Sequence, residues 1–550
     1  MFARSIRVSS GLMPTVTFEP LSLLTNTTLR ILSARTRHAF EVLQLRKSFS
    51  ETADESRRPS VFDPSKQSAF LNLTGGNLSE EKRRRKALEI GNSIANLNMT
   101  SNEKLSNEDV VWIDEKMCLV GIGLRTNYDG FTKALYSGIF NSKRVAAVRD
   151  IFDRSVSHAT LSSCVKVVSD DIVVILDSVQ NPLKRRLVNL YFETEKFHFS
   201  LERHDMDFTE FLHEAGLRVI PVSTESEVIA FRREDVPVQQ STNHVLMVAP
   251  TAFAPNLYTA EDNFFMDSAR SQDVADLQQK ALHEYASLYN LVTAKDAAGL
   301  RVHLFTHETY HDTPDAVYPN NWFSTHTDLE VGECTLVLYP MKAPNRRKER
   351  RPEFLQRLFM FRRYTNVFDL TRHEEAPEPR FLEGTGSLVL DRVNRVAYCC
   401  LSERTDLTLA RTWARVMGYS LEPFTAWDAS GRPIYHTNVM MSVGTHVAVI
   451  CSSSIQDKEE RKRVCSRLMD SHEVVDISLS QVNSFCGNVL EVENFYGKPV
   501  MLMSSTAYHA FDSKQLELLQ RYEHDLLHVD ISTIERVGGG GVRCSIGELF

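Results

Sequence analysis

Short apolar runs alternate with helical patterns along residues 239–550. Uninterrupted or alternating apolar stretches predict strands at 245–250, 301–305, 335–339, 396–401, 446–451, 487–492, 500–503 and 526–531. Apolar positions three or four residues apart predict helices at 274–292, 406–418, 458–469 and 513–522, with Trp413 and Val416 on the inward face of the second. Short strands separated by single helices indicate an α/β domain. A doubly wound sheet and a cyclic array of small strand–helix units both fit this pattern.

The first half shows a similar alternation of short apolar runs and helical patterns. It predicts strands at 117–124, 165–176 and 217–222. Cys118 and Cys164 are both expected to be core strand residues. The basic run at 82–86 reads as the solvated face of a helix whose apolar side is Leu88, Ile90, Ile94 and Leu97. Residues 234–241 are polar, contain a proline and lack periodicity, so they are the best linker candidate. Two domains are therefore predicted, 1–238 and 239–550.

Composition limits the function classes. A chain of 550 residues exceeds one compact core. A net charge of -8 argues against a nucleic-acid partner, and no apolar run is long enough to span a bilayer. Nine scattered cysteines without a CxxC pair indicate reduced thiols and no structural zinc site. These thiols favour a cytoplasmic location. Residues 1–10 carry arginines and serines but no acid, which suits either a first strand or a mitochondrial presequence, so mitochondria are the alternative location.

The strongest chemical signal is a run of four glycines, 538–541, followed by Arg543 and Cys544. Glycine weakens helices and strands, so such a run makes sense where backbone approaches another group closely. Arg543 is expected to lower the pKa of the Cys544 thiol, and only the thiolate is a strong nucleophile. The alternative reading is a flexible tail with a stray thiol.

Three further segments, 313–323, 381–387 and 435–439, collect polar residues. With Cys544 they supply a carboxylate pair, a histidine and a cysteine, a set that fits attack on a guanidinium group. Asp315 and Glu383 can hold the guanidinium N–H groups while Cys544 attacks carbon, and His436 can protonate the departing nitrogen and later deprotonate water.

Each of these residues also has an ordinary reading when it is taken alone. Glu383 fits a turn, His436 fits a structural histidine, and Asn320 and Asn321 fit a turn cap.

The strings at 249–253, 314–326, 339–347, 382–392 and 435–441, together with the Cys544 loop, resemble the guanidine-modifying (pentein) superfamily over residues 241–550. That superfamily includes arginine deiminases, dimethylarginine dimethylaminohydrolases, succinylarginine dihydrolases and glycine amidinotransferases. The nearest branch by motif is the amidinotransferase-like, or citrulline-utilisation hydrolase, branch. The resemblance implies that Cys544 is the nucleophile, His436 the general acid/base and Glu383 its carboxylate partner. It also implies that Asp315 is a substrate contact. Asn320, Asn321, Asn438 and Arg543 are further candidate substrate-binding residues.

Two departures bear on the substrate. Arginine deiminases carry aspartate at the positions of Asn321 and Asn438. An amide cannot neutralise a guanidinium, so free arginine is expected to be a poor substrate, and Asn321→Asp is expected to improve its use.

The first half resembles dimethylarginine dimethylaminohydrolase more faintly, at 52–56, 60–62, 120–127 and 217–223. The acidic pair expected after Phe62 is replaced by 63–66, His158 is near but not at the expected position, and no cysteine follows Val222 before the linker. A catalytically dead copy is expected, with an unrelated α/β domain as the alternative.

Together these features predict two tandem pentein-type α/β propellers, the first degenerate. The expected function is cysteine-dependent hydrolysis of a C–N bond in a small-molecule guanidine compound, without metal or organic cofactor and without nucleic-acid or membrane partners. A homodimer is left open. The alternatives are an amidinotransferase and a non-catalytic scaffold or regulatory protein.

Overall fold

The computed structural model describes residues 78–149, 160–169, 171–180, 186–260, 263, 266, 274–328, 333–361, 364 and 366–550. The expectations for 1–10, for the stretches between 52 and 66, and for His158 therefore lie outside the described residues. All described residues belong to one compact unit, and the domain boundary at 238/239 stays a prediction. Among the described residues, no helix combines the length and apolar character needed to cross a bilayer.

The described part of the first half forms two sheets, ordered β1-β2-β3-β6-β7 and β4-β5-β8. The strands are β1 Val110–Trp112, β2 Met117–Ile122, β3 Arg144–Arg149, β4 Val165–Val167, β5 Ile172–Leu176, β6 Leu187–Glu195, β7 His198–Asp207 and β8 Arg218–Val222. The helices are α1 Glu80–Ala95, α2 Tyr128–Ser137, α3 Leu161–Cys164, α4 Phe208–Glu214 and α5 Glu225–Ala230.

Three first-half expectations need correction. The single strand predicted at 165–176 is a hairpin of β4 and β5, because Ser169 donates its hydroxyl to Asp171 within a polar turn. Cys118 is buried in β2 as predicted, but Cys164 is buried at the end of α3 rather than in a strand. Leu88 is 68% exposed whereas Ile90 is buried. Two residues along a helix are about 200° apart, so these two side chains point in opposite directions.

The second half contains the remaining elements. The strands are β9 His244–Ala249, β10 Arg301–Thr306, β11 Phe323–Asp328, β12 Glu333–Leu338, β13 Asn366–Asp369, β14 Leu388–Asp391, β15 Val396–Cys400, β16 Ser420–Phe424, β17 Met441–Val443, β18 Val447–Ile450, β19 Glu473–Asp476, β20 Leu490–Glu493, β21 Pro499–Ser504, β22 Asp525–Val529 and β23 Gly547–Glu548. The helices are α6 Val274–Thr293, α7 Pro352–Phe361, α8 Gly384–Ser387, α9 Leu407–Met417, α10 Lys458–Met469, α11 Leu479–Asn483, α12 Ser505–Ala510, α13 Ser513–Tyr522 and α14 Ser532–Gly538.

One structural unit recurs through the second half. In four sheets the central strand pairs antiparallel with the strand before it and parallel with the strand after it, as β12 does with β11 and β13. A helix always lies between the two parallel strands in sequence, because a parallel pair requires a crossover. In a fifth sheet β9 is central, pairing parallel with β10 and antiparallel with β23. The predicted mixed α/β class is confirmed.

Two second-half expectations also change. Helix α9 buries Leu409, Ala410, Trp413 and Ala414, whereas Val416, predicted to face inward, is 57% exposed. Val416 lies about 90° from the centre of that buried stripe, near the end of the helix. The strand predicted at 487–492 is β20, which begins at Leu490.

The end of the predicted linker is anchored rather than loose. Gln240 donates to Leu390 O at 2.8 Å and to Val443 O at 2.9 Å, and accepts from Arg392 N at 2.7 Å. The linker candidate therefore ends in a fixed contact between two sheets of the second half.

Candidate active site

Cys544 lies in a buried loop between α14 and β23, and its side chain is 6% exposed. The preceding glycines let this loop pack on Tyr318. A Cβ on Gly538 would lie 2.1 Å from the Tyr318 hydroxyl, and one on Gly540 would lie 3.2 Å from Cys544 Cβ. The Tyr318 hydroxyl in turn contacts Ile534 O and Gly540 O at 3.0 and 3.3 Å. Close approach explains the glycines, and the reading as a flexible tail is wrong.

Two amides face the sulfur. Asn488 Nδ2 lies 3.3 Å and Asn438 Nδ2 3.5 Å from Cys544 Sγ. Asn488 Nδ2 also donates to Asn438 O at 3.0 Å, which links the two residues. Sequence reasoning missed Asn488. The sequence signal available was Gly487, which precedes it, because glycine is favoured where two backbones approach closely. A Cβ on Gly487 would lie 2.4 Å from Val439 O.

Burial dominates the acidity of Cys544. It raises the pKa of the thiol, and the opposing effects of Asn488, Arg543 and Asn438 do not overcome it. Arg543 is less effective than its sequence position suggested because its guanidinium donates to Glu548 Oε2 at 2.7 Å and to Ile546 O at 3.3 Å. Arg543 lowers the thiol pKa as expected, but burial outweighs it, so the resting thiol is protonated near neutral pH.

His436 and Glu383 form a buried pair, with 2.8 Å between Nε2 and Oε2. Glu383 comes from the turn that precedes α8, and its second oxygen accepts from Lys342 N at 2.9 Å. Arg404 Nη1 lies 3.6 Å from the same Oε2 that faces the histidine. The carboxylate is thus held from three sides, and the imidazole is held through the carboxylate.

The charges of this pair follow from their surroundings. Burial disfavours the Glu383 carboxylate, but Arg404, the hydrogen bond from His436 and Arg346 together hold the pKa of Glu383 well below its usual range. Burial lowers the pKa of His436, and the contact with Glu383 offsets this only in part. At neutral pH the imidazole is neutral. Its proton belongs on Nε2, facing the carboxylate, which leaves Nδ1 as a base.

The histidine segment meets the cysteine loop. The hydroxyl of Tyr435, the neighbour of His436, donates to Gly539 O at 3.0 Å, and Asn438, two residues later, contacts the Cys544 sulfur. Helix α8 places Gly386, which has no side chain, against this region. A Cβ on Gly386 would lie 2.4 Å from Asn321 Nδ2 and 2.8 Å from His436 Nδ1. Segments distant in sequence therefore converge around one buried point.

Asp315 is buried. Its Oδ2 accepts from Asn256 Nδ2 at 2.7 Å and from Thr259 Oγ1 at 2.9 Å. Asn321 is held through Oδ1, which accepts from Arg346 Nη1 at 2.9 Å. Neither Asn256 nor Arg346 was singled out from the sequence, because each acts through a contact that only the folded chain creates.

Several buried polar atoms of these residues have no hydrogen-bond partner among the described residues. They are Asp315 Oδ1, both side-chain polar atoms of Asn320, Asn321 Nδ2, Asn438 Oδ1 and Asn488 Oδ1. Leaving a buried donor or acceptor unmet is costly, so clusters of such atoms mark places that a polar ligand completes. Here the set contains mainly acceptors, which suits a ligand rich in N–H donors.

Two family models match parts of the chain. The model of the family described as N,N dimethylarginine dimethylhydrolase, eukaryotic, matches residues 249–550, more than half of the 550 residues. The chain belongs to this family. A second model, arginine deiminase, matches residues 91–262. The predicted membership of the guanidine-modifying superfamily is confirmed. The matched model is the dimethylarginine branch, whereas motifs alone favoured the citrulline-utilisation branch.

Solved structures with some likeness include apo ArgZ, an arginine dihydrolase from the ornithine–ammonia cycle in cyanobacteria, at 16% identity and TM-score 0.42 over 55% of this chain. The chain spans 40% of that protein. The substrate-bound N-terminal domain of ArgZ gives 15% identity and TM-score 0.43, covering 56% of this chain and 97% of the domain. A citrulline complex of DDAH from Pseudomonas aeruginosa gives 13% identity and TM-score 0.37, covering 57% and 100%. No curated protein matches the chain.

Proposed function

We propose that this member of the dimethylarginine dimethylhydrolase family hydrolyses a C–N bond of a guanidine group, with Cys544 as the nucleophile. One observation carries the assignment of roles: a buried thiol, two amides directed at it and a carboxylate-held histidine lie in contacting segments lined by polar atoms without partners. The family match supports the class of reaction, because the family is named for hydrolysis of a methylated arginine.

The reaction divides between these residues. The Cys544 thiolate bonds to the guanidine carbon, and a C–N bond breaks as His436 supplies a proton to the departing nitrogen. A water molecule that His436 deprotonates then attacks the covalent intermediate, the C–S bond breaks, and the thiolate is released with a ureido product. Glu383 stays ionised throughout and orients the imidazole, because its pKa is held well below the usual range.

The substrate's own charge is the proposed trigger for Cys544. The thiol is protonated at rest since burial raises its pKa. A guanidinium cation placed against the sulfur favours the thiolate, because an opposite charge stabilises the ionised form. The proton released can be accepted by Nδ1 of His436.

The charges around the site favour a substituted substrate. Asp315 and Glu383 supply carboxylates, but Arg404 is buried beside Glu383, and Asn321 and Asn438 are neutral. The negative field available to a bare guanidinium is therefore reduced. We propose an arginine derivative that gains contacts elsewhere, such as an N-methylated or N-acylated arginine.

The recurring unit of residues 244–548 supports a five-unit α/β propeller for the second half, with β23 pairing to β9 as the joining contact. We propose a non-catalytic first half. Its two thiols, Cys118 and Cys164, are both buried and lie away from any glycine run, although Arg186 Nη2 and Ser163 Oγ lie 3.6 and 3.5 Å from Cys164 Sγ. The described first-half residues form two sheets rather than five, which fits a degenerate copy.

A guanidine panel with active-site labelling tests the proposal. Arginine, methylarginines, succinylarginine and agmatine are scored for ureido product and released amine, and chloroacetamidine is used to trap the nucleophile. Cys544→Ser should abolish both turnover and trapping, since a serine hydroxyl is scarcely ionised near neutral pH. The matched control is Cys465→Ser, which removes a half-buried thiol of α10. Turnover retained in Cys544→Ser, or trapping at another cysteine, would overturn the assignment.

A further inference from the structure

A second polar cavity, of about 100 Å³, lies where the first-half sheet β4-β5-β8 meets the second half. Its walls include Asp171 and Arg218 from the first half and Arg392, Arg395 and Glu493 from the second. It shares no wall residue with the set around Cys544, His436 and Glu383. The cavity is therefore a separate feature that the hydrolytic mechanism does not use.

Cations outnumber anions around this cavity. Four arginines line it (Arg218, Arg233, Arg392 and Arg395) against two carboxylates, Asp171 and Glu493. Burial raises the pKa of Glu493 despite the nearby Arg218, which weakens one of the two anions. Of the two wall histidines, His244 and His326, the latter adds no charge, because burial holds its pKa well below the usual range. A carboxylate at Phe550, were the chain to end there, would still leave cations in excess.

Arg392 is the most informative of the four. It is 6% exposed, yet it has no carboxylate within 4.0 Å among the described residues. Four comparably buried arginines each have one: Arg346 with Glu349, Arg351 with Glu353, Arg404 with Glu383 and Arg543 with Glu548. A buried cation without a counter-charge is strongly destabilising. Arg392 departs from the pattern of these four arginines.

The contacts of Arg392 leave donors available. Its Nη1 approaches Thr325 O and His326 Nδ1, both at 3.3 Å, and the Phe550 ring covers one face at 3.7 Å. A guanidinium carries five N–H donors, so these contacts leave most of them unmet. The side chain is held in place but not neutralised.

Arg218 and Arg395, two other arginines of the cavity wall, show the same shortage of counter-charge. Among the described residues, the guanidinium of Arg218 has one acceptor, Pro237 O at 3.3 Å, and forms no ion pair within 4.0 Å. Arg395 lies over the Tyr419 ring at 5.4 Å. Burial lowers the pKa of Arg218, with Glu493 and Asp171 opposing the shift, so this cation too lacks sufficient counter-charge.

We propose that this cavity binds a small oxyanion with two negative charges, a phosphate or a dicarboxylate, between Arg218 of the first half and Arg392 and Arg395 of the second. Arginine forks match such oxygens in paired hydrogen bonds. Because the two halves supply different arginines, the bound anion joins them and stabilises the arrangement seen here.

Titration of the full chain with inorganic phosphate, at ionic strength held constant with chloride, tests the site. We expect saturable binding of one phosphate by calorimetry and a rise in melting temperature that follows the same saturation. Arg392→Gln and Arg395→Gln should each raise Kd at least about tenfold, the loss expected for one charge-assisted contact. The control is Arg411→Gln, an exposed arginine on α9 outside the cavity.

A parallel titration with succinate separates the two sources of the anion, since tighter binding of one identifies the preferred ligand class. Arg395→Gln keeps the test decisive if Arg392→Gln fails to fold, because Arg395 is only half-buried. Equal phosphate affinity in wild type and Arg395→Gln, or no saturable binding of either anion, would overturn the proposal. Neither readout involves turnover, so the result is independent of the hydrolase assignment.

Discussion

The imidazole of His436 lies 2.8 Å from the Glu383 carboxylate across 53 residues of sequence. This contact sets the protonated nitrogen and, in the proposed mechanism, supports the imidazolium. Glu383→Gln keeps a hydrogen-bonding atom in place but removes the charge. We expect kcat to fall by about 10²–10⁴, the range typical of an orienting or acid–base residue. Steady-state kinetics normalised to folded protein measure this.

The matched control for that variant is Glu403→Gln, which removes an exposed carboxylate that pairs with Lys342. It should leave kcat within about twofold, as surface ion pairs contribute little. If Glu383→Gln retained full kcat, the His436–Glu383 pair would be structural only.

Asn488 is expected to set the reactivity of Cys544. Its amide donates towards the sulfur at 3.3 Å and so favours the thiolate. Asn488→Ala should raise the thiol pKa further and slow alkylation at pH 7 by about tenfold, the effect of one hydrogen bond to a charged group. The alkylation rate is followed against pH, with Asn394→Ala, remote from the site, as control. An unchanged pH profile would show that the contact does not act on the thiolate.

The site could be predicted from sequence where its residues stand in short, unusual strings. Cys544 follows four glycines, and Glu383 lies between Leu382 and Gly384 in a segment too polar for a core. Arg346, Arg404 and Asn488 could not be found this way, because each matters through a partner far away in the chain. The same limit applies to Arg543, which lowers the pKa of Cys544 as expected but whose pairing with Glu548 could not be seen from the sequence.

The strands of the fold also differ in how far they could be predicted from sequence. Central strands such as β18 are wholly buried and give an unbroken apolar run, so they were predicted. Edge strands are half exposed and chemically mixed. β13, Asn366–Asp369, and β16, Ser420–Phe424, are examples. Their existence depends on pairing with a central strand, a non-local interaction that local composition does not encode.

Gly386 is predicted to be required for space. An added Cβ would meet Asn321 Nδ2 at 2.4 Å and His436 Nδ1 at 2.8 Å. Gly386→Ala should therefore displace the imidazole and reduce kcat/KM by about 10²-fold or more, as small misplacements of catalytic groups do. Gly123→Ala, where an added Cβ meets nothing within 4 Å, is the control. Normal kcat/KM in Gly386→Ala would place catalysis elsewhere.

Aspartate substitutions at Asn321 and Asn438 should have different effects. The expected gain for free arginine in Asn321→Asp becomes small, since Asn321 already faces Arg346, which would pair with the new carboxylate. Asn438→Asp places charge beside Cys544. It should lower KM for arginine by about tenfold but also lower kcat, because a nearby anion disfavours the thiolate. Separate kcat and KM values for arginine and methylarginine decide this, and a large gain in Asn321→Asp alone would contradict the placement of Arg346.

Glu523 is predicted to make the protein less stable as pH rises. It is buried, and burial together with the neighbouring Glu491 raises its pKa to about 9 from 4.5. Between these values the unfolded chain is ionised while the native state keeps its proton. The native state then binds more protons, and the free energy of unfolding falls with pH, fully so above the native pKa. Glu523→Gln removes this dependence and should stabilise the protein by roughly 1–3 kcal/mol more at pH 8 than at pH 5. Urea unfolding at both pH values measures the difference, with the exposed Glu517→Gln on α13 as control. An equal effect of Glu523→Gln at the two pH values would show that Glu523 is ionised in the native protein.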